Sequence, residues 1–183
     1  MFRPVLALTT ALGCAAGPLG YAPAANAAPA GCGWLLKGTY YLQNPSGKVL
    51  DVRGNQTANG SAVQTWSLTR GRNQQWRRLQ WSCAGMGGEA LQSVASNKCL
   101  DVSLNRPIQN GNQVQLYQCH YQANQRWWLI SPSAQQPYQV LKSWQHLDYV
   151  VDAAAPGSNG GRVQVWNYGS AVLAHVRWRL VSV

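Results

Sequence analysis

Five acidic side chains serve 183 residues, and three of them share one local setting. Asp51, Asp101 and Asp152 each follow an aliphatic residue, in Leu50-Asp51, Leu100-Asp101 and Val151-Asp152. Residues this rare do not fall in register three times by accident. Downstream of each comes a glutamine two places before an aromatic: Gln64-Thr65-Trp66, Gln115-Leu116-Tyr117 and Gln164-Val165-Trp166. Asn73-Gln74 and Asn124-Gln125 complete the first two sets, whereas the third carries His175-Val176. A carboxylate, primary amides and an aromatic plane are the groups that hold a sugar. The carboxylate accepts hydroxyl hydrogen bonds, which are stronger to a charged acceptor. An amide gives direction, and the ring lies under the apolar face of the pyranose.

The same inventory argues against catalysis. Glycoside hydrolysis needs two carboxylates facing one bond, and each set holds one aspartate. Glu89 has no evident carboxylate partner. No nucleophile elbow, H-E-x-x-H helix or phosphate loop occurs. C-x-x-C pairs are absent, and His120 and His146 lack metal-ligand spacing. Neither enzymatic activity, metal nor cofactor is expected.

Positioning these sets falls to a repeat of about fifty residues. Asn59-Gly60-Ser61-Ala62-Val63-Gln64 recurs as Asn110-Gly111-Asn112-Gln113-Val114-Gln115 and as Asn159-Gly160-Gly161-Arg162-Val163-Gln164. Each unit closes on a tryptophan, Trp76, Trp127 or Trp178, at intervals of 51 residues. Asn-Gly is the strongest short hairpin signal, because both residues tolerate positive φ. Thr39–Gln43, a turn at Pro45-Ser46-Gly47, and Val49–Val52 read as strand, turn, strand. Long helical periodicity is missing. One unit of a few short strands cannot bury its apolar face alone. Three units about a pseudo-threefold axis can, with the closing tryptophans as shared core. Trp34, Trp81, Trp128 and Trp144 have no repeated position and no expected site role.

The first thirty residues differ. Arg3, an apolar run from Val5 to Ala16, and A-x-A sites at Ala25-Asn26-Ala27 and Ala28-Pro29-Ala30 read as a signal peptide over 1–27, cleaved near 27–30. Secretion, extracellular or periplasmic, is therefore expected, with no transmembrane segment. Ala11-Leu12-Gly13-Cys14 offers an alternative, lipid anchoring at Cys14. Cleavage leaves Cys32, Cys83, Cys99 and Cys119, an even count that suggests two disulfides in one of three pairings. Fifteen basic residues give a net charge of +10, favouring anionic cell-surface polymers as partners or simply aiding solubility. Asn55-Gln56-Thr57 and Asn59-Gly60-Ser61 are N-glycosylation sequons, meaningful only in a eukaryote.

With the aspartates in register, Gln74-Gln75-Trp76 and Gln125-Arg126-Trp127 resemble the Q-x-W repeats of the ricin B-type lectin family. The third copy departs, reading Val176-Arg177-Trp178. The resemblance implies an all-β fold, a β-trefoil over 33–183 with repeats near 33–82, 83–133 and 134–183. It implies a carbohydrate-binding protein with Asp51, Gln64, Trp66, Asn73 and Gln74 as one sugar site and Asp101, Gln115, Tyr117, Asn124 and Gln125 as a second. Asp152, Gln164 and Trp166 form an incomplete third, where His175 replaces the asparagine. Within each set the aspartate is the acceptor, the aromatic the platform and the asparagine the orienting amide. Gln74 and Gln125 brace the fold and the aspartate more than they touch ligand. Cys99 through Cys119 resembles the family's intra-repeat disulfide unit, which leaves Cys32 for Cys83. Galactose- or xylose-type glycans and a monomeric state fit the resemblance. Alternatives are a protein-interaction trefoil, such as a toxin targeting subunit or an inhibitor, and a basic binder of anionic polymers.

Overall fold

A computed structural model describes residues 32–83, 87–132 and 137–183. The leader and Cys14 lie outside these residues. Twelve strands account for the architecture. The first repeat holds β1 (Trp34–Gln43), β2 (Val49–Val52), β3 (Val63–Trp66) and β4 (Trp76–Trp81). The second holds β5 (Glu89–Ser93), β6 (Cys99–Val102), β7 (Asn112–Tyr117) and β8 (Trp127–Ile130). The third holds β9 (Gln139–Ser143), β10 (Tyr149–Ala153), β11 (Gly161–Asn167) and β12 (Arg177–Ser182). Helical structure among the described residues is confined to three-residue 3₁₀ turns.

The outer strands of each repeat close a ring. β1 pairs with β4, β4 with β5, β5 with β8, β8 with β9, β9 with β12, and β12 with β1, all antiparallel. The inner strands form the hairpins β2–β3, β6–β7 and β10–β11, which pair among themselves through β11–β3 and β11–β7. This six-stranded barrel with three hairpins is the β-trefoil.

The core lies where the repeats meet. Trp76, Trp127 and Trp178 are buried, beside the equivalent leucines Leu42, Leu91 and Leu141. Each indole N–H donates to the carbonyl just before the repeat's aspartate: Leu50 at 3.1 Å, Leu100 at 3.3 Å, Val151 at 3.2 Å. The closing tryptophan therefore both fills the core and pins the strand that carries the site. Burying about 200 Å² of indole contributes up to about 5 kcal/mol per copy.

The Asn-Gly pairs do not close two-residue hairpins. Val52 pairs with Val63 and Val102 with Val114, so the loops between run about ten residues. Asn-Gly instead stitches one repeat to the next. Gly60, Gly111 and Gly160 adopt φ of 83, 86 and 77°, a region nearly closed to other residues. That conformation aims their N–H groups at the carbonyls of Leu116, Val165 and Thr65. The preceding Asn59, Asn110 and Asn159 accept from the backbone N–H of Gln118, Asn167 and Ser67. The pattern runs from repeat one to two, two to three, and three to one.

Disulfides join Cys32 to Cys83 and Cys99 to Cys119. Three of the four unrepeated tryptophans also have a place: the Arg126 guanidinium sits 5.6, 5.6 and 5.4 Å from the rings of Trp34, Trp81 and Trp144. Arg126 is the middle residue of the second Q-x-W triplet, so it fastens β1 and β4 of repeat one to the loop after β9 in repeat three.

Candidate functional site

Strand register builds each site. Asp51 lies directly across from Gln64, Asp101 from Gln115 and Asp152 from Gln164. The amide donates to the carboxylate at 2.9, 3.0 and 3.0 Å. Side chains repeat every second residue along a strand. The aromatic two places after each glutamine, Trp66, Tyr117 or Trp166, therefore stands on the same face. Trp66 is 37% and Tyr117 40% exposed, open enough to serve as platforms.

A 3₁₀ turn then delivers the next donors. In repeat one it spans Arg72–Gln74. Asn73 Nδ2 donates to Asp51 Oδ2 at 2.8 Å and to the Val52 carbonyl at 3.2 Å. Gln74 Nε2 donates to the same Oδ2 and to the Ser67 carbonyl, both at 2.9 Å. Repeat two reproduces this with Ala123–Gln125. There Asn124 and Gln125 reach Asp101 Oδ2 at 2.8 and 3.0 Å. Both amide hydrogens of Asn73 and Asn124 are thus used internally, which leaves the amide oxygen to face a ligand. On each carboxylate, three acceptor positions are taken and Oδ1 keeps one lone pair.

All three aspartates are buried. Burial pushes each carboxyl above its ordinary range, against the opposing pull of the amide donors. The donors hold the ionised form; in repeat three the only hydrogen-bond donor doing so is Gln164, with a Coulombic pull from nearby His175.

Each set opens into a cleft. The first, about 710 Å³, is lined by Asp51, Gln64, Trp66 and Asn73 among others. The second, about 430 Å³, has Asp101, Gln115, Tyr117 and Asn124. The third, about 310 Å³, has Asp152, Gln164, Trp166 and His175. Gln74 and Gln125 do not line these clefts; both are fully buried behind the carboxylate. They act as braces of the fold and the aspartate, not as cleft-lining groups. Each clamps a loop through its Oε1, which accepts from Thr69 N–H and hydroxyl in one repeat and from His120 and Tyr121 N–H in the other.

The third set is visibly reduced. Val176 turns the brace into apolar packing with Val140 and Val150. His175 Nδ1 stands 3.8 Å from Asp152 Oδ1, beyond hydrogen-bond reach. One residue outside the expected sets, His120, lines the second cleft, with Nε2 3.8 Å from Asp101 Oδ2. The signal available was its position five residues before Gln125, where repeat one has Thr69. No cluster of three or more potential metal ligands occurs among the described residues, and no helix among them is long and apolar enough to cross a membrane.

A closed barrel with three symmetry-related polar clefts, each centred on a buried aspartate, defines a trefoil of the lectin class. The chain belongs to the ricin-type β-trefoil lectin domain family, whose model matches residues 38–178. Comparison with curated protein sequences returns no match. Among solved structures, the designed threefold-symmetric protein ThreeFoil is 29% identical, with a TM-score of 0.68 over 79% of this chain and 99% of that one. An exo-β-1,3-galactanase from Clostridium thermocellum is 26% identical, with a TM-score of 0.69 over 80% of this chain but 30% of that one. The Rhizoctonia solani agglutinin shares the fold at 22% identity, with a TM-score of 0.66 over 81% of this chain and 97% of that one.

Proposed function

We propose that this chain is an exported lectin that binds galactose-type sugars in the first and second clefts, with a weaker third. The observation that carries the reading is the same four-group constellation in two clefts: a buried carboxylate with one free lone pair, an amide beside it, an asparagine oxygen facing outward, and an exposed aromatic. A hydroxyl donates to Oδ1, a neighbouring hydroxyl donates to the asparagine oxygen, and the ring stacks on Trp66 or Tyr117. Galactose is favoured over xylose because the Macrolepiota procera ricin B-like lectin, which shares this fold, was solved with lactose, and the earthworm R-type lectin C-half with GalNAc. Within the C. thermocellum galactanase the matching region is a minor part of the chain, consistent with recognition, not bond cleavage, as its task here. Each shallow site is weak alone, and joined sites gain avidity on polymers and cell surfaces.

A glycan array tests the proposal with Asp51→Ala, Asp101→Ala and the double variant. Each single variant weakens binding to galactose-bearing glycans and the double leaves at most the weak binding of the third cleft. Unaltered binding by the double variant would exclude these clefts.

A further inference from the structure

The first cleft differs from the other two in charge. One guanidinium, that of Arg72, lines it, and a second, that of Arg53, is bonded to Gln64 on its floor. Arg53 follows β2 and is exposed, with Nε donating to Gln64 Oε1 at 3.1 Å. It is thereby tied to the amide on the cleft floor, and its terminal nitrogens have no recorded acceptor among the described residues. Arg72 immediately precedes Asn73 and lines the cleft. One of its terminal nitrogens donates to the Val94 carbonyl at 3.1 Å, fixing it against the turn that supplies Ala95 to the same cleft. Neither arginine forms an ion pair among the described residues.

Surface arginines are common, so the neighbours are the proper control. Arg78 is paired with Glu89, and Arg77 is held by Gln92 and Asn97 side-chain oxygens. Arg78 is thus neutralised by its partner and Arg77 is held away from the cleft, whereas Arg53 and Arg72 are each anchored to the cleft by a single hydrogen bond and keep other donors. The equivalent positions carry no charge in the other repeats: Ser103 and Ala123 in the second, Ala154 and Ala174 in the third. The first cleft is also the largest, about 710 Å³ against about 430 and 310 Å³. It has room for a substituent beyond one pyranose ring.

We infer that the first cleft selects a galactose-type sugar bearing an anionic substituent, a carboxylate or a sulfate, held by Arg53 and Arg72 while a ring hydroxyl donates to Asp51. This rests on the sugar-binding reading above. Guanidinium is suited to the task because its planar fork matches an oxyanion bidentately. The Asp51 carboxylate offsets only one of the two positive charges, and its Oδ2 is already engaged by Asn73 and Gln74. Two guanidiniums against one carboxylate leave a net positive rim, and the +10 chain charge draws acidic glycans toward it.

The test uses the full chain carrying Asp101→Ala, so that the first cleft dominates. Calorimetric titration compares galactose, galacturonic acid and galactose 6-sulfate. At least one anionic ligand binds roughly 10-fold or more tighter than galactose, as expected of a charge-assisted hydrogen bond. Which one does so identifies the substituent. The preference weakens from 50 to 500 mM salt. Adding Arg53→Gln and Arg72→Gln brings the anionic-to-neutral affinity ratio close to one, whereas Arg77→Gln, the same loss of charge outside the cleft, leaves it unchanged. Galactose binding without an anionic preference, or a preference lost equally with Arg77→Gln, overturns this inference alone. Failure of all three ligands overturns the sugar-binding reading with it.

Discussion

Replacing Gln74 with valine gives repeat one the residue found at the matching point of repeat three. The structure sets the cost. Gln74 is fully buried and makes four hydrogen bonds: to Asp51 Oδ2, to the Ser67 carbonyl, and from the Thr69 N–H and hydroxyl. Valine makes none of them. One bond to a charged acceptor and three neutral ones, discounted for relaxation of the exposed Thr69 loop, come to about 4 kcal/mol. For a domain of this size that lowers Tm by on the order of 10 °C. Urea unfolding with the disulfides intact measures it. The variant also loses one of two donors to Asp51 Oδ2, so the first cleft binds sugar more weakly while the second is unaffected. A stability change below about 1 kcal/mol would refute the brace role, because losing one bond to a charged acceptor and three neutral ones cannot be that cheap.

Three further outcomes follow from the geometry. A methyl group at Gly71 meets Asn73 Oδ1 at 2.5 Å, so Gly71→Ala turns that amide away and lowers first-cleft affinity by about 10-fold in calorimetry, with the second cleft unchanged. Gly60→Ala meets no atom within 4 Å, so its effect isolates the positive φ; it costs about 1–2 kcal/mol in denaturant melts and leaves sugar binding intact. The raised carboxyl pKa values of Asp51, Asp101 and Asp152 give binding and stability opposite pH trends. Sugar affinity falls as pH drops through the raised folded values, because a protonated carboxyl loses acceptor strength. The folded state holds these protons more tightly than the unfolded chain, so their contribution to stability rises on acidification through the same window and falls as pH increases. Paired binding and thermal-melt titrations over the acidic range check both signs.

The spacing of Asp51, Gln64 and Trp66 was legible because strand register converts it directly into shared direction: opposite residues touch and alternate residues face one way. The closing tryptophans were legible for a similar reason, since a large apolar group recurring once per repeat has one economical place to go. Asn59-Gly60 was misread as a hairpin tip because its local preference for positive φ is real, while its partners, Leu116 and Gln118, lie in another repeat. Sequence proximity carries no trace of such contacts. Arg126 and its tryptophans were opaque on the same account, being drawn from three separate repeats. Gln74 was half legible: its type suggested hydrogen bonding to the aspartate, but only the packed structure shows that it lies behind the carboxylate. Arg53 and Arg72 were opaque as cleft residues, because nothing in a sequence tells which of fifteen basic side chains faces a cleft.

The central claim is that two of the three clefts hold sugar through the aspartate, asparagine and aromatic groups. A two-dimensional amide NMR titration of the intact protein with lactose tests it most directly. The account predicts shifts concentrated at Asp51, Trp66 and Asn73 and at Asp101, Tyr117 and Asn124, smaller ones around Asp152, and loss of the first group alone in Asp51→Ala. Shifts centred elsewhere, such as around Arg126, or shifts in the first cleft that survive Asp51→Ala, would contradict it.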